Sequence, residues 1–240
     1  MRITLGPVSS RTTIQEAVYQ QLRNALMAGS FDPGQVLTIA SLAETFGTSN
    51  MPVREALRRL AAENALEVAS NGSARIPVVT RARLDDLARA RIAVEGLATE
   101  LGAPHLTAAD IVRLETIASE QSAIGRSSNV YELMEKNQRF HFTIYSASGS
   151  EVLLQLIETL WLRFGPYMRL LSASVEPLMR SGELDPADPH IAIIDALKAQ
   201  DFTAAREAVA SDIRRTHEIL RNYCLDSGEE AVQRRQIRRI

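Results

Sequence analysis

Residues 41–66, SLAETFGTSNMPVREALRRLAAENAL, are the stretch that most constrains the fold of this chain. Their spacing predicts two short helices around a tight turn. Leu42, Ala43 and Phe46 make one apolar face, and Gly47 is suited to the left-handed conformation of a sharp helix exit. Thr48 or Ser49 then caps a second helix, with Pro52 in its first turn, where a missing N–H costs little. Val53, Ala56, Leu57 and Leu60 follow helical spacing and face inward, which leaves Arg54 and Arg58 pointing out. A helix held by its back with forked cations on its exposed N-terminal half suits the major groove of DNA. An ordinary solvated amphipathic helix satisfies the same residues, and this segment alone leaves both readings open.

The flanks narrow the choice. A helix is expected from about Thr13 to Ala28: Thr13 and Glu16 have capping-box spacing, Ile14, Val18, Leu22 and Leu26 form a stripe, and Gly29 ends it. Asp32-Pro33-Gly34 reads as a turn. After the two helices, residues 66–69 (LEVA) and 74–79 (ARIPVV) are short strand candidates around Asn71-Gly72, a strong hairpin signal. Three helices followed by a hairpin describe a winged helix-turn-helix.

Bulk properties bound the size and setting of the chain. It has 240 residues, 45% of them hydrophobic, enough for one large or two small cores. A net charge of −2 gives no global sign of nucleic-acid binding, so any such footprint is local. The single cysteine, Cys224, excludes an internal disulfide framework and fits a reducing cytoplasm. No apolar run reaches membrane-span length, and MRITLGPVSS lacks a signal-peptide core, so a soluble cytoplasmic protein is expected.

Beyond Pro77 the pattern becomes helical throughout, with helices expected near 83–103, 107–124, 129–147, 150–172, 186–199 and 202–226. Gly165-Pro166 is expected to kink the fourth of these. The C-terminal EEAVQRRQIRRI carries Arg234, Arg235, Arg238 and Arg239, which suit DNA phosphates or simply a solvated end.

GSFDPGQVLTIASLAETFGTSNMPVREALRRLAAENAL resembles the N-terminal domain of GntR-type transcriptional regulators, with Pro-Val-Arg-Glu-Ala-Leu its most specific segment. The helical remainder resembles the FCD ligand-binding domain of the FadR subgroup. The resemblance implies a mostly α architecture: a winged helix-turn-helix over 1–79, an all-α bundle of six to seven helices over 80–228, and an Arg-rich tail over 229–240. It implies a homodimer on a pseudo-palindromic double-stranded operator, more often a repressor than an activator. Thr48, Ser49, Asn50, Arg54, Arg58 and, in the wing, Arg75 are the candidate DNA contacts. Where the family often has Arg this chain has Asn50, and where it has a charged residue this chain has Ala40. Asn reads adenine but lacks the forked contact to guanine, so an altered base preference is expected. The family's Gly after the recognition helix is replaced by Asn64, which tolerates the left-handed conformation.

A second constellation lies in the helical half. The inward stripe of 129–147 runs Val130, Leu133, Met134, Asn137, His141, Ile144; that of 186–199 runs His190, Ile191, Ile194, Leu197; that of the last helix runs Ala205, Val209, Asp212, Ile213, Thr216. Three helices thus direct ligand-type groups into a core, where an unpaired Asp212 would be costly. Two imidazoles, a carboxylate and an amide oxygen suit a divalent zinc, nickel or manganese ion, although a hydrogen-bonded His–Asp core satisfies the same groups. The FCD resemblance places its metal ligands at Asn137, His141, His190 and Asp212, with one carboxylate lost at the first and one gained at the last. His217 lies on a different part of its helix and is not expected to be a ligand. The resemblance also implies a pocket for a small organic acid effector, with Arg91, Glu95, Arg163 and Tyr167 as candidate contacts; an internal Arg91–Glu95 pair is the plain alternative. Two other functions remain in play: a regulator that senses the metal itself, and a helical metalloenzyme fused to a DNA-binding domain.

Overall fold

The computed structural model describes residues 14–68, 73–127, 130–182 and 185–225. The N-terminal part comprises α1 (Ile14–Met27), β1 (Val36–Leu37), α2 (Ile39–Thr45), α3 (Asn50–Ala62), β2 (Glu67–Val68) and β3 (Ala74–Arg75). The rest is helical: α4 (Arg81–Gly102), α5 (Ala108–Ser127), α6 (Val130–Ser146), α7 (Glu151–Ser181), α8 (Asp188–Lys198) and α9 (Phe202–Arg221). The fold is therefore mostly α, a winged helix-turn-helix followed by a six-helix bundle.

Local chemistry explains the N-terminal elements. Thr38 caps α2 by accepting a hydrogen bond from the Ser41 amide at 3.3 Å. Gly47 turns the chain with φ +59°, and Asn64 leaves α3 with φ +58°. Val53, Ala56, Leu57 and Leu60 on α3 are buried against α1, whose own buried face is Val18, Tyr19, Leu22 and Leu26. Tyr19 donates to Glu63 at 2.8 Å, and the Arg59 guanidinium lies over its ring, 3.5 Å from the centroid. Ile14 departs from the expected stripe and is exposed; Tyr19 is the residue that completes that face. Thr13 of the expected capping box lies outside the described residues, and Glu16 bonds Gln20 and Arg59.

The sheet has three strands in the order β1-β3-β2, all antiparallel, pairing Val36 and Glu67 with Arg75. Strand β1 has no counterpart among the sequence expectations, because two residues are too short for any periodicity to register. The expected strand 74–79 shortens to two residues, although the Gly34 and Ile76 amides extend the pairing by one step. Pro77 has no N–H to carry it further. The Asn71-Gly72 tip lies outside the described residues, as does the Arg-rich tail.

In the bundle, α4 packs against α7 and α9, α5 against α6, and α8 against α9. Helix α7 runs on to Ser181, through Pro166 and Pro177, where the sequence suggested an end near 172. Each proline forfeits a hydrogen bond, but Phe164, Tyr167, Met168 and Met179 are buried on either side and hold the helix together. Gly165 has a packing role as well: a Cβ there would lie 1.9 Å from the carbonyl oxygen of Leu26, so α1 and α7 meet backbone to backbone. Arg23–Glu158 and Arg169–Asp32, both at 2.8 Å, flank that contact.

Candidate functional site

Two constellations stand out. On α3, Ser49 at the N-cap, Asn50, Arg54 and Arg58 are exposed, while Thr48 is half-buried in the turn. Arg54 has no ion-pair partner among the described residues, and Arg58 is tied only to Glu55 on its own helix, at 2.9 Å. Ser49 makes no side-chain capping bond. Arg75 sits half-buried on the central strand. The result is a helix held by an apolar back with a cationic, hydrogen-bonding front.

The second constellation is the inverse, polar groups in the middle of a core. His141 of α6, His190 of α8 and Asp212 of α9 bring one ligand atom each to within 4.8 Å of one another. Both imidazoles are buried, and Asp212 is 15% exposed. Their surroundings set their proton positions. The Tyr145 hydroxyl donates to Glu95 at 2.7 Å, so its oxygen accepts from Nδ1–H of His141 at 3.2 Å. The Gln121 carbonyl oxygen only accepts, so it holds the Nδ1 proton of His190 at 2.7 Å. With both Nδ1 atoms committed, the two Nε2 atoms face each other at 3.2 Å, and Asp212 Oδ2 lies 3.2 Å from that of His141.

Two nitrogen lone pairs and a carboxylate therefore converge on one point. Such a convergence is repulsive unless a cation sits within it, either a shared proton or a metal ion. Burial, together with His141, lowers the His190 pKa to about 3, so His190 is neutral at physiological pH. Burial works to raise the Asp212 pKa, but when a proton is the cation, its hydrogen bond and charge on His141 outweigh burial and hold the carboxyl below its ordinary range. Two imidazoles, a carboxylate and partners fixing the Nδ1 protons are the donor set and supporting shell that divalent transition metals prefer.

Behind His141 lies a charged layer. Glu95 is fully buried and receives Arg91 through two bonds, Nε at 2.6 Å and NH2 at 3.2 Å, besides the Tyr145 hydroxyl. Desolvation works against the Arg91 charge, and Glu95 more than restores it. Desolvation and Glu95 together push the Tyr145 pKa well above its usual value. The Arg91 guanidinium also lies over Phe164 and Trp161, at 4.4 and 5.0 Å from the ring centroids.

The histidines and Asp212 open onto a pocket between α6, α7, α8 and α9. Of the candidate contacts, Asn137 and Arg91 line it, and Glu95, Arg163 and Tyr167 are not among its lining residues. The Tyr167 hydroxyl, at the start of α4, accepts from the Thr80 amide and donates to its carbonyl, a clamp on the link between the two parts of the chain. His217 lies apart from the pocket and pairs with Asp85 of α4 at 2.6 Å. Residues that sequence reasoning did not single out include Gln121, Tyr145, Asp185 and Arg215. Only Arg215 carried a signal, lying one turn after Asp212 on the same face.

Comparison with known proteins assigns a domain type to each of the two parts of the chain. A family model described as bacterial regulatory proteins, gntR family, matches residues 10–76, and one described as the FCD domain matches residues 86–215. The chain is 31% identical to the HTH-type transcriptional regulator McbR of Escherichia coli over 85% of its own length and 90% of the relative's. It is 28% identical to the HTH-type transcriptional repressor GlaR of the same organism, over 79% and 87%. The solved structure of E. coli McbR/YncC superposes with a TM-score of 0.81 at 29% identity, covering 89% of this chain and 99% of that one.

Proposed function

The chain belongs to the GntR family of bacterial regulators, in the group that carries an FCD domain, and on that premise we propose a repressor released by a small organic acid bound beside a metal ion. It is a DNA-binding transcriptional regulator and not an enzyme. The finer reading is a homodimer acting in the cytoplasm, its two copies of α3 lying in successive major grooves of a pseudo-palindromic operator. Ser49, Asn50, Arg54 and Arg58 make the base and phosphate contacts, with Thr48 and Arg75 beside them. The repressor assignment rests on relatives named as repressors, GlaR among them.

The observation that carries the regulatory half is the convergence of His141 Nε2, His190 Nε2 and Asp212 at distances that call for a cation. His141, His190 and Asp212 hold the metal, with Asn137 available as a neutral oxygen donor from the same wall. A divalent ion there supplies a Lewis-acidic anchor for an effector carboxylate. Among the described residues no helix is long and apolar enough to cross a membrane.

Metal stripping and reloading of the full chain, followed by operator binding, tests this. Stoichiometric zinc, nickel or manganese uptake that His141→Ala abolishes is the expected result. Uptake of none of them leaves a shared proton as the cation and overturns the metal assignment. Operator release on adding metal alone, with no organic acid, identifies a metal sensor instead. An effector releases DNA only if it binds the DNA-bound and released arrangements with different affinity.

A further inference from the structure

We infer that the pocket above His141 and His190 is built for a compact monocarboxylate with an apolar body, anchored by Arg215. This rests on the effector reading of the same site and names the ligand class. Polycarboxylates are the class it excludes.

Charge is the first argument. Arg91 cannot serve as a free anchor, because Glu95 already occupies its guanidinium bidentately and both side chains are buried. Asp185, at the pocket mouth, is held by the Ser122 hydroxyl and the Ala187 amide. Arg215 lines the same pocket, is only partly buried and has no ion-pair partner among the described residues. Of the acids that line the neighbouring groove with it, Glu207 is engaged by Arg214 at 2.6 Å. Arg91 and Arg215 stand against Glu95, Asp185 and Asp212, so these residues leave one negative charge. A divalent cation turns that into one positive charge, and a single carboxylate cancels it. A second carboxylate on the ligand would have no counter-charge in a desolvated site.

The walls give the second argument. Met134, Phe164, Met168 and Met179 line the pocket and are themselves buried, so one wall facing the ligand is thioether and ring, while Asn137 and Thr216 bring polar groups to the rest. Unbranched methionines adapt to an irregular apolar body and offer hydroxyls nothing to bond. Size is the third. The cavity volume is about 90 Å³. That is a small volume, which favours a compact ligand over an extended or branched one.

Calorimetric titration of the zinc-treated full chain with hexanoate, benzoate, acetate, citrate and hexanol tests the class, with zinc content measured separately on the same sample. Hexanoate or benzoate is expected to bind at least tenfold more tightly than acetate, citrate or hexanol. Met168→Gln should weaken the favoured acid at least fivefold at unchanged zinc content, and Arg215→Gln should narrow the gap between hexanoate and hexanol. Citrate or acetate binding as well as hexanoate overturns the ligand class, whatever the zinc content, and that comparison needs no variant to fold. A sample that takes up no zinc yet still prefers hexanoate overturns the metal assignment and the charge count together, and leaves the apolar monocarboxylate resting on Arg215 and the methionine wall.

Discussion

Helix α3 and the histidine core are built from the same parts, polar side chains on helices with apolar stripes, yet they place those parts oppositely. On α3 the functional groups lie opposite the stripe: Val53, Ala56, Leu57 and Leu60 are buried, and Arg54 and Arg58 face water. On α4, α6 and α8 they lie within it, so Glu95, His141 and His190 fill positions a leucine would otherwise take. Groups outside the stripe keep their hydration and are almost independent of folding. Groups inside it lose hydration and must replace it with one another. The exposed face of α3 can thus vary at little cost to the fold, whereas the histidine core is also a determinant of stability.

The sharpest way to break that comparison is Glu95→Ala. It strands the buried Arg91 charge and deprives the Tyr145 hydroxyl of its acceptor. A loss of about 3–5 kcal/mol in unfolding free energy is expected by chemical denaturation, because one member of a buried pair is left uncompensated. Arg54→Ala, measured the same way, should stay within about 0.5 kcal/mol of the parent. Equal losses in the two variants would erase the distinction between the regions.

The second test uses function in place of stability. Arg54→Ala should weaken specific operator binding by about 1–3 kcal/mol if Arg54 reads a base, and relax sequence preference at one position of each half-site. Fluorescence anisotropy on the operator and on single-base variants measures both. An unchanged affinity would mean that the exposed face of α3 is not the reading surface.

The third probes how the core orients its ligands. Tyr145→Phe removes the oxygen that holds the Nδ1 proton of His141 without touching a metal-facing atom. Loss of such a partner typically costs about 10–100-fold in metal affinity. Competition with a chromophoric chelator is the measurement, and wild-type affinity in the variant would show that Tyr145 serves packing alone.

How legible each region is in the sequence follows from the same placement. The α3 face is encoded within a dozen contiguous residues, so helical spacing alone separates its back from its front, and Asn64 reads as a left-handed residue from its type and position. The core ligands are visible as polar residues on apolar stripes. Their supporting partners are not: Gln121 meets His190 and Tyr145 meets Glu95 from different helices, across distances that periodicity does not encode. Periodicity also misjudges rotation on the short α8, where Ile191 is exposed and Ile193 is buried. Gly165 is a third case, expected to kink α7 and found beneath the Leu26 carbonyl because α1 happens to dock there.

The smallest expected effect sharpens the comparison most finely, because it lies entirely on the solvated side. Arg58 is exposed and bonded to Glu55, three residues earlier on the same helix. An exposed pair of this kind is worth about 0–1 kcal/mol, so Arg58→Ala should leave unfolding nearly unchanged. Its expected signature is ionic. If Arg58 leaves Glu55 for a phosphate, affinity should fall similarly on every sequence, and the slope of log affinity against log salt should shrink by about one unit. If Arg58→Ala instead discriminates between operator variants, Arg58 reads bases and the Glu55 pair is a resting position. If neither slope nor affinity moves, the DNA-facing part of α3 ends at Arg54.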